Sequence, residues 1–436
     1  MPDQEVIQVD TQKRLRLLAT IAITVCLLPL FPLAAAVEPG NLILEHTELW
    51  LVEQGQVADI CATDLDGDGT VEIVTIGSLP DSAELRISHW NGATYTLLTE
   101  VAWQEGTSRT LGRAVHCADV DGDGVVEILS VTYVPDLEDS ELRIWHWDSA
   151  TNALVLQEKF GLFEDPPPGW TTEHIYDLAA GDVDSDGEVE IVLAGSAYTD
   201  STYGIIRILT WDGSAVTEEH SETWGTSGTT AFGVALGDVD GDSVIEIVTA
   251  GDTADYIDLR VWRWDGAAMT LEAGAHWKTM ESSSAVGLAI GDLDGDGLLE
   301  LVTAGRAIGS MLELDDPFFG LITVWDWDGV EFDLEAYEAW QSARGNVEFF
   351  AAAAEDVDLD GVKDAIAVGA VHETPGANVL RVYSWDGLVL QNKYSEEWIG
   401  PEMMDSFAYT TYSRDVDGDG IVEILTGGAW SWPGSV

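Results

Sequence analysis

Gly237-Asp238-Val239-Asp240-Gly241-Asp242-Ser243-Val244-Ile245-Glu246-Ile247-Val248 decides how this chain is read. Three carboxylates stand at positions 1, 3 and 5 of a tight turn, a fourth stands at position 9, and a β-rich apolar run begins at once. Close copies begin at Asp64, Asp119, Asp182, Asp292, Asp356 and Asp415, with start-to-start spacings of 55, 63, 56, 54, 64 and 59 residues. A motif fixed at this period marks a repeat architecture.

Around each copy the same anatomy recurs. In the fourth repeat, residues 232–236 form an apolar strand, the acidic loop follows, and residues 246–250 form a second strand. A third strand ends at Trp264, Asp265-Gly266 makes a turn that needs positive φ, and a fourth strand closes at Trp277. Hairpin equivalents are Trp90-Asn91-Gly92, Trp147-Asp148-Ser149, Trp211-Asp212-Gly213, Trp327-Asp328-Gly329 and Trp385-Asp386-Gly387. The fourth strands end at Trp50, Trp103, Phe160, Trp224, Trp277, Trp340 and Trp398. Four strands in each of seven repeats predict an all-β fold, a seven-bladed β-propeller of four-stranded blades.

The ends predict how the ring closes. Residues 41–50 align with a fourth strand, and the C-terminus supplies a first strand, the last acidic loop and a second strand before stopping at Val436. The last blade is therefore expected to join N- and C-terminal strands and to be incomplete. It lacks a third strand, as if on the order of ten to fifteen residues were missing by the repeat spacing.

Short Asp side chains at alternate positions converge on one point when the backbone curls, and Gly at position 6 permits that curl. The expected metal ligands are Asp64, Asp66, Asp68 and Glu72; Asp119, Asp121, Asp123 and Glu127; Asp182, Asp184, Asp186 and Glu190; Asp238, Asp240, Asp242 and Glu246; Asp292, Asp294, Asp296 and Glu300; Asp356, Asp358, Asp360 and Asp364; Asp415, Asp417, Asp419 and Glu423. Position 7 adds a carbonyl. An all-oxygen set with flexible carboxylates suits Ca²⁺, up to seven ions, better than Mg²⁺. One such loop could be a solvated acidic turn; seven in register argue for a cation. Ser243 replaces Gly in the fourth loop, and Leu359 and Lys363 make the sixth bulkier and less acidic. These two are expected to bind most weakly.

The formal charge is −61, from 18 Lys and Arg against 79 Asp and Glu. Seven divalent cations would bring that to −47. The balance excludes nucleic acid and anionic membrane surfaces as partners, although adaptation to high salt gives the same signature. Hydrophobic content of 46% is enough for a core, so the chain is not a disordered acidic tail.

Lys13, Arg14 and Arg16 precede an apolar run from Leu17 to Val37 that ends in Ala34-Ala35-Ala36. Residues 1–36 are expected to be a signal peptide, or an uncleaved anchor, ahead of a propeller over 37–436. The protein is then secreted or held at the cell surface, and meets membrane only through that segment. The three cysteines suggest no disulfide framework: Cys61 and Cys117 sit three and two residues before their loops, on opposite strand faces, as buried small residues.

These motifs, with Phe232-Gly233 upstream and Gly237-Asp238 at the loop entry, resemble the FG-GAP/VCBS repeat family, which includes the propeller of integrin α subunits. The resemblance covers residues 41–436. It implies a Ca²⁺-stabilised, usually extracellular propeller whose ligands fall on the acidic positions named above. It implies no single function, since such repeats occur in adhesion proteins, carbohydrate-binding proteins, polysaccharide lyases and phospholipases.

No nucleophile elbow, P-loop or zinc-type His pair is present. His116 beside Cys117 points to the other strand face, as a packed histidine rather than half of a dyad. Arg86, Arg143, Arg207, Arg260 and Arg381 recur four residues before the hairpin Trp, with Thr323 in the fifth repeat, which predicts a scaffold ion pair. Function should sit where repeats differ, on the face opposite the acidic loops and hairpins. That face holds residues 164–170, residues 311–320 with Asp315, Asp316, Phe318 and Phe319, and residues 398–407. The leading expectation is a non-catalytic binding or adhesion module for a carbohydrate or protein ligand. A polysaccharide lyase or hydrolase on the same scaffold and a structural envelope module are the alternatives. The sequence does not specify an oligomeric state.

Overall fold

The protein is described by a computed structural model over residues 16–22, 43–50, 55–107, 109–163, 169–225, 228–309, 317–373, 375–399 and 405–431. These residues form strands joined by turns. Among them no helix is long and apolar enough to cross a membrane.

Strands β1 (Arg16–Ala22), β2 (Ile43–Trp50), β3 (Gln56–Thr63), β4 (Glu72–Ser78), β5 (Ala83–Trp90) and β6 (Tyr95–Trp103) are followed by four-stranded antiparallel sheets. The first comprises β7 (Leu111–Ala118), β8 (Glu127–Val134), β9 (Asp139–Asp148) and β10 (Ala153–Gly161). The second comprises β11 (Thr172–Gly181), β12 (Glu190–Tyr198), β13 (Thr202–Trp211) and β14 (Val216–Trp224). Then come β15 (Thr229–Gly237), β16 (Glu246–Thr253), β17 (Tyr256–Trp264) and β18 (Met269–Trp277), and after them β19 (Ser282–Gly291), β20 (Glu300–Ile308), β21 (Phe318–Trp327) and β22 (Phe332–Trp340). The last of these sheets holds β23 (Asn346–Glu355), β24 (Asp364–His372), β25 (Ala377–Trp385) and β26 (Leu390–Trp398), and β27 (Asp405–Arg414) and β28 (Glu423–Ser431) end the chain.

The fold is a β-propeller of four-stranded blades, but hydrogen bonding divides it into six blades rather than the expected seven. One is double width: β27, β28, β1 and β2 run into β3 through β6 across the pair Ala429–Gln56. The expectation of an incomplete last blade also changes. β1 lies between β28 and β2, parallel to both, where the repeats place a third strand. β1 falls within the 1–36 segment read as a signal or anchor. Pro29, Pro32, Ala34 to Ala36 and Cys26 lie outside the described residues, as do 164–168, 310–316 and 400–404 of the variable loops. Phe318 opens β21, with its ring edge-on to His372 at 5.1 Å, and so belongs to a strand rather than a loop.

Second strands are buried throughout, whereas fourth strands alternate toward solvent. Each sheet packs on the next: Val248, Leu259 and Val261 meet Leu301, Leu321 and Trp325. The recurrent arginines hold carboxylates, on their own strand for Arg86 and Arg260 and on another strand of the same sheet for Arg207. Arg86 bonds Glu84 at 2.8 Å, Arg207 bonds Glu173 at 2.7 Å, and Arg260 bonds Asp258 at 3.0 Å.

The disulfide expectation is overturned, because Cys61 on β3 and Cys117 on β7 are bonded. The reading that they occupy opposite strand faces points to this bond rather than away from it. Neighbouring sheets stack front to back, so opposite faces of equivalent strands are the ones that meet. The bond also removes any His116–Cys117 dyad, and His116 lines the central cavity.

The innermost strands β3, β7, β11, β15, β19, β23 and β27 follow one another around the axis, and β27 returns to β3. Each carries a β-bulge at the same place. The pairing skips Ala58, Arg113, Tyr176, Phe232, Val286, Phe350 and Tyr409. A bulge re-aims a side chain, and all seven of these residues line the central cavity. Asp59 and Asp177 follow two of the bulges and stitch neighbouring inner strands. Asp59 accepts from Val115 N at 2.9 Å and Thr410 Oγ1 at 2.8 Å, and Asp177 accepts from Val234 N at 2.9 Å. Burial pushes the two carboxyls up to about 6 and about 7.

Candidate metal centres

Each acidic loop is a tight coil with two left-handed residues, at positions 4 and 6. Gly67 and Gly69 have φ of 74° and 89°, and Gly418 and Gly420 have 74° and 85°. Position 6 was legible in the sequence; position 4 is equally demanding. Three of these residues carry a Cβ: Ser185 at 64°, Ser243 at 72° and Leu359 at 58°. Left-handed backbone costs such residues roughly 1 kcal/mol, so Ser243→Gly and Leu359→Gly are each expected to stabilise the protein by about that amount, read as a rise in urea midpoint.

The coil brings the predicted ligands together. In the fourth loop Asp238 accepts from Ser243 N at 3.0 Å, Asp240 from Asp242 N at 3.0 Å, and Asp242 from Val244 N at 2.8 Å. Glu246 reaches back to Val239 N at 3.0 Å. The same bond from position 9 recurs as Glu72 to Leu65 N, Glu127 to Val120 N, Glu190 to Val183 N, Glu300 to Leu293 N and Glu423 to Val416 N. Asp364, one methylene shorter, makes no such bond.

The donor set fits a hard cation. Carboxylate oxygens of Asp64, Asp66 and Glu72, of Asp119, Asp121 and Glu127, of Asp182, Asp184 and Asp186, and of Asp238, Asp240 and Glu246 lie within 4.8 Å of one another. That is about twice a Ca²⁺–oxygen distance of ~2.4 Å. Asp238 Oδ1 and Glu246 Oε1 are buried without a hydrogen-bond partner, and Glu246 is 0% exposed. Burial, followed by the neighbouring aspartates, pushes Glu72, Glu127, Glu190, Glu246 and Glu300 up to about 7 and Glu423 to about 8.

In four repeats a fourth-strand glutamate joins the centre, and sequence reasoning missed it. Each fourth strand carries a bulge of its own, at Glu45, Leu98, Gln157, Glu219, Glu272, Glu335 and Lys393. Glu45 joins Asp417 and Glu423 in one oxygen cluster. Glu219 is pushed up by burial and by Asp184 and Asp186. Burial and Asp326, Asp333 and Asp294 do the same to Glu335. The signal was a glutamate five residues before the terminal aromatic.

In the sixth loop that bulge residue is a cation. The Lys393 ammonium lies 2.9 Å from Asp358, 2.8 Å from Asp364 and 3.5 Å from Asp360. Burial pushes Asp364 up, and Lys393 partly offsets this, leaving it at about 6. The fourth loop has a lesser version, with Arg263 2.8 Å from Asp242. Lys363, singled out from sequence, instead reaches the Ala354 carbonyl and Glu355. Lys393→Glu is expected to add one bound Ca²⁺ to the wild-type stoichiometry, counted by native mass spectrometry.

The hairpins share the face of the acidic loops. A Cβ on Gly92 would lie 2.6 Å from Asp417 Oδ2, one on Gly266 2.6 Å from Asp184 Oδ2, and one on Gly213 2.8 Å from Asp121 Oδ2. Position 3 of five loops, Asp417, Asp121, Asp184, Asp240 and Asp294, therefore rests on the hairpin of the following repeat.

A family profile described as FG-GAP-like repeat matches residues 64–130, 182–249 and 238–303. The chain is a β-propeller built on FG-GAP-like repeats. Phe232-Gly233, the dipeptide before the fourth loop, is the inner-strand bulge of such a repeat with its following glycine. No curated protein matches the sequence. Solved structures similar to the FG-GAP-repeat propeller include a protein from Lactobacillus plantarum, at 12% identity over 78% of this chain and 87% of that one, with a TM-score of 0.48. A rhamnogalacturonan lyase from Bacillus licheniformis is 16% identical over 85% of this chain and 70% of its own, with a TM-score of 0.47. The C-terminal WD40 domain of Sif2 is 14% identical over 88% and 97%, with a TM-score of 0.46.

Proposed function

We propose that this protein is an exported, Ca²⁺-dependent binding module whose acidic loops hold structural calcium and whose rigid ring presents a carbohydrate or protein ligand site. The observation that carries the calcium reading is the pair of orphaned oxygens, Asp238 Oδ1 and Glu246 Oε1, buried inside a curled acidic loop. A bound cation would pair them and offset the burial, and after it the neighbouring aspartates, that push the position 9 glutamates up. The ligands are those named above, joined by Glu45, Glu219, Glu272 and Glu335. The Cys61–Cys117 bond supports export, because disulfides persist in oxidising compartments.

Calcium here supplies charge neutralisation and rigidity. The chain's own groups do the positioning: Gly at positions 4 and 6 curls the loop, and position 9 pins it to the following strand. The test is retention of the protein on a polysaccharide and matrix-protein array, with and without a calcium chelator, with the wash assayed for released fragments. Calcium-dependent retention without fragments is expected. Fragments in the wash would replace this reading with the lyase or hydrolase one. N-terminal sequencing of exported protein tests the leader: Val37 as first residue would mark cleavage and leave the last blade without β1, whereas a retained N-terminus would keep β1 in its place between β28 and β2.

A further inference from the structure

The inner-strand bulges point a particular set of side chains into the central cavity, which has a volume of about 790 Å³. Four are aromatic. Tyr176 and Phe232 have ring centroids 5.1 Å apart, and Phe350 and Tyr409 have theirs 5.4 Å apart. One is charged, Arg113, whose guanidinium lies 5.8 Å from the Tyr133 ring and 5.7 Å from the Tyr176 ring.

Arg113 differs from the blade arginines. Arg86, Arg143, Arg207, Arg260 and Arg381 each bond a carboxylate. Among the described residues none makes a hydrogen bond or ion pair to Arg113, and its Nε is buried without a partner. This occurs in a chain with 79 acidic residues and 18 basic ones. The cavity carboxylates do not serve it. Asp59 is occupied by Ile60 N, Val115 N and Thr410, and Asp177 by Leu178 N and Val234 N. A desolvated cation without an anion is costly to keep, and a guanidinium fork matches a carboxylate in two-point contact.

We propose that the central cavity binds a small hydroxylated carboxylate of sugar-acid size, its carboxylate on Arg113 and its ring face against Tyr176 and Phe232. The ligand carries one charge rather than many, because a net charge of −61 repels polyanions from the channel mouth. Its hydroxyls meet the polar groups that share the wall, Tyr412, Thr411 and His116. The site is separate from the acidic loops and does not rest on the calcium reading.

The test is calorimetric titration of the full chain with D-galacturonate, with D-galactose and acetate as parallel arms. Galacturonate is expected to bind, galactose and acetate each to bind at least about ten times more weakly, and Arg113→Gln to weaken galacturonate by about tenfold or more. Arg113→Lys, which keeps the charge but loses the fork, is expected to fall between. Thermal melts show whether both variants fold, and Phe232→Ala, expected to weaken galacturonate while leaving acetate unchanged, tests the stacked face independently. A chelator added below the melting temperature of the calcium-free protein is expected to leave binding intact, so failure here and failure of the calcium reading are distinguishable. No heat from galacturonate, equal binding of galactose, or unchanged binding by folded Arg113→Gln would overturn the proposal.

Discussion

Chelating calcium is expected to lower the melting temperature by roughly 15 °C. A site held at a hundred times its dissociation constant stabilises the fold by about 2.7 kcal/mol. The five loops that carry neither Arg263 nor Lys393 would together contribute about 13 kcal/mol on that scale. An unfolding entropy of roughly 2 cal/mol/K per residue converts this to about 15 °C for a domain of this size. The effect should depend on pH. In the metal-free protein the position 9 glutamates have raised folded values, about 7 in five loops and about 8 at Glu423, against an ordinary value of 4.5. A carboxyl raised on folding disfavours the folded state once ionised. Metal-free stability is therefore greatest below about 4.5 and falls as pH rises through 7 to 8. Calcium binds the ionised form, so its stabilising effect should grow over that same window. Calorimetric melts at pH 5 and pH 8, with calcium and with chelator, measure all four corners. An equal chelator effect at both pH values would contradict the assignment of those glutamates as ligands.

Gly251→Ala is expected to destabilise the protein by roughly 3 kcal/mol or more. Gly251 faces Ala231 across β15 and β16, next to the bulge at Phe232. The bulge presses the Thr230 carbonyl onto it, so that a Cβ would lie 1.8 Å from that oxygen. Gly195, Gly305, Gly369 and Gly428 face the same crowding from His174, Ser284, Glu348 and Phe407, at 2.1, 1.9, 1.9 and 1.8 Å. Backbone cannot yield there without undoing the bulge and withdrawing Phe232 from the cavity. Gly274→Ala is the control, since its Cβ would meet Arg260 Cγ and Leu259 O at an ordinary 3.8 Å. It should be neutral, or gain up to about 1 kcal/mol through the unfolded chain. Urea midpoints of the two variants settle the comparison.

The acidic loops, the hairpins and the four-strand unit were legible because each is local: the residues that make it are adjacent in the chain. The features missed all depend on register or stacking. Cys61 and Cys117 were placed on the right faces, but only the stacking of one sheet on the next turns opposite faces into a bond. The bulges are invisible to a period-two reading of a strand, although the recurrent second-strand glycine was their imprint. Lys393 and the matching glutamates are remote in sequence from their loops, Glu45 at the opposite end of the chain from Asp417, and only the fourth-strand bulge joins them. The blade count failed at one point, where a single pair between Ala429 and Gln56 merges two sheets.

The seating of each loop on the next hairpin has a consequence for how such a protein can be divided. Asp184 sits against Gly266, Asp240 against Gly329 and Asp294 against Gly387, each contact crossing to the following repeat in the same direction around the axis. The interfaces are head-to-tail, like those that build closed rings from identical subunits. A repeat with such a contact does not own a whole centre, because its loop acids are its own but their floor is borrowed. One repeat excised at its sequence boundaries would carry the full acidic motif on an unsupported loop, so the smallest unit able to hold an ion in this arrangement is a pair. Duplication or loss of repeats during evolution would then preserve function only where the seam still matched loop to hairpin.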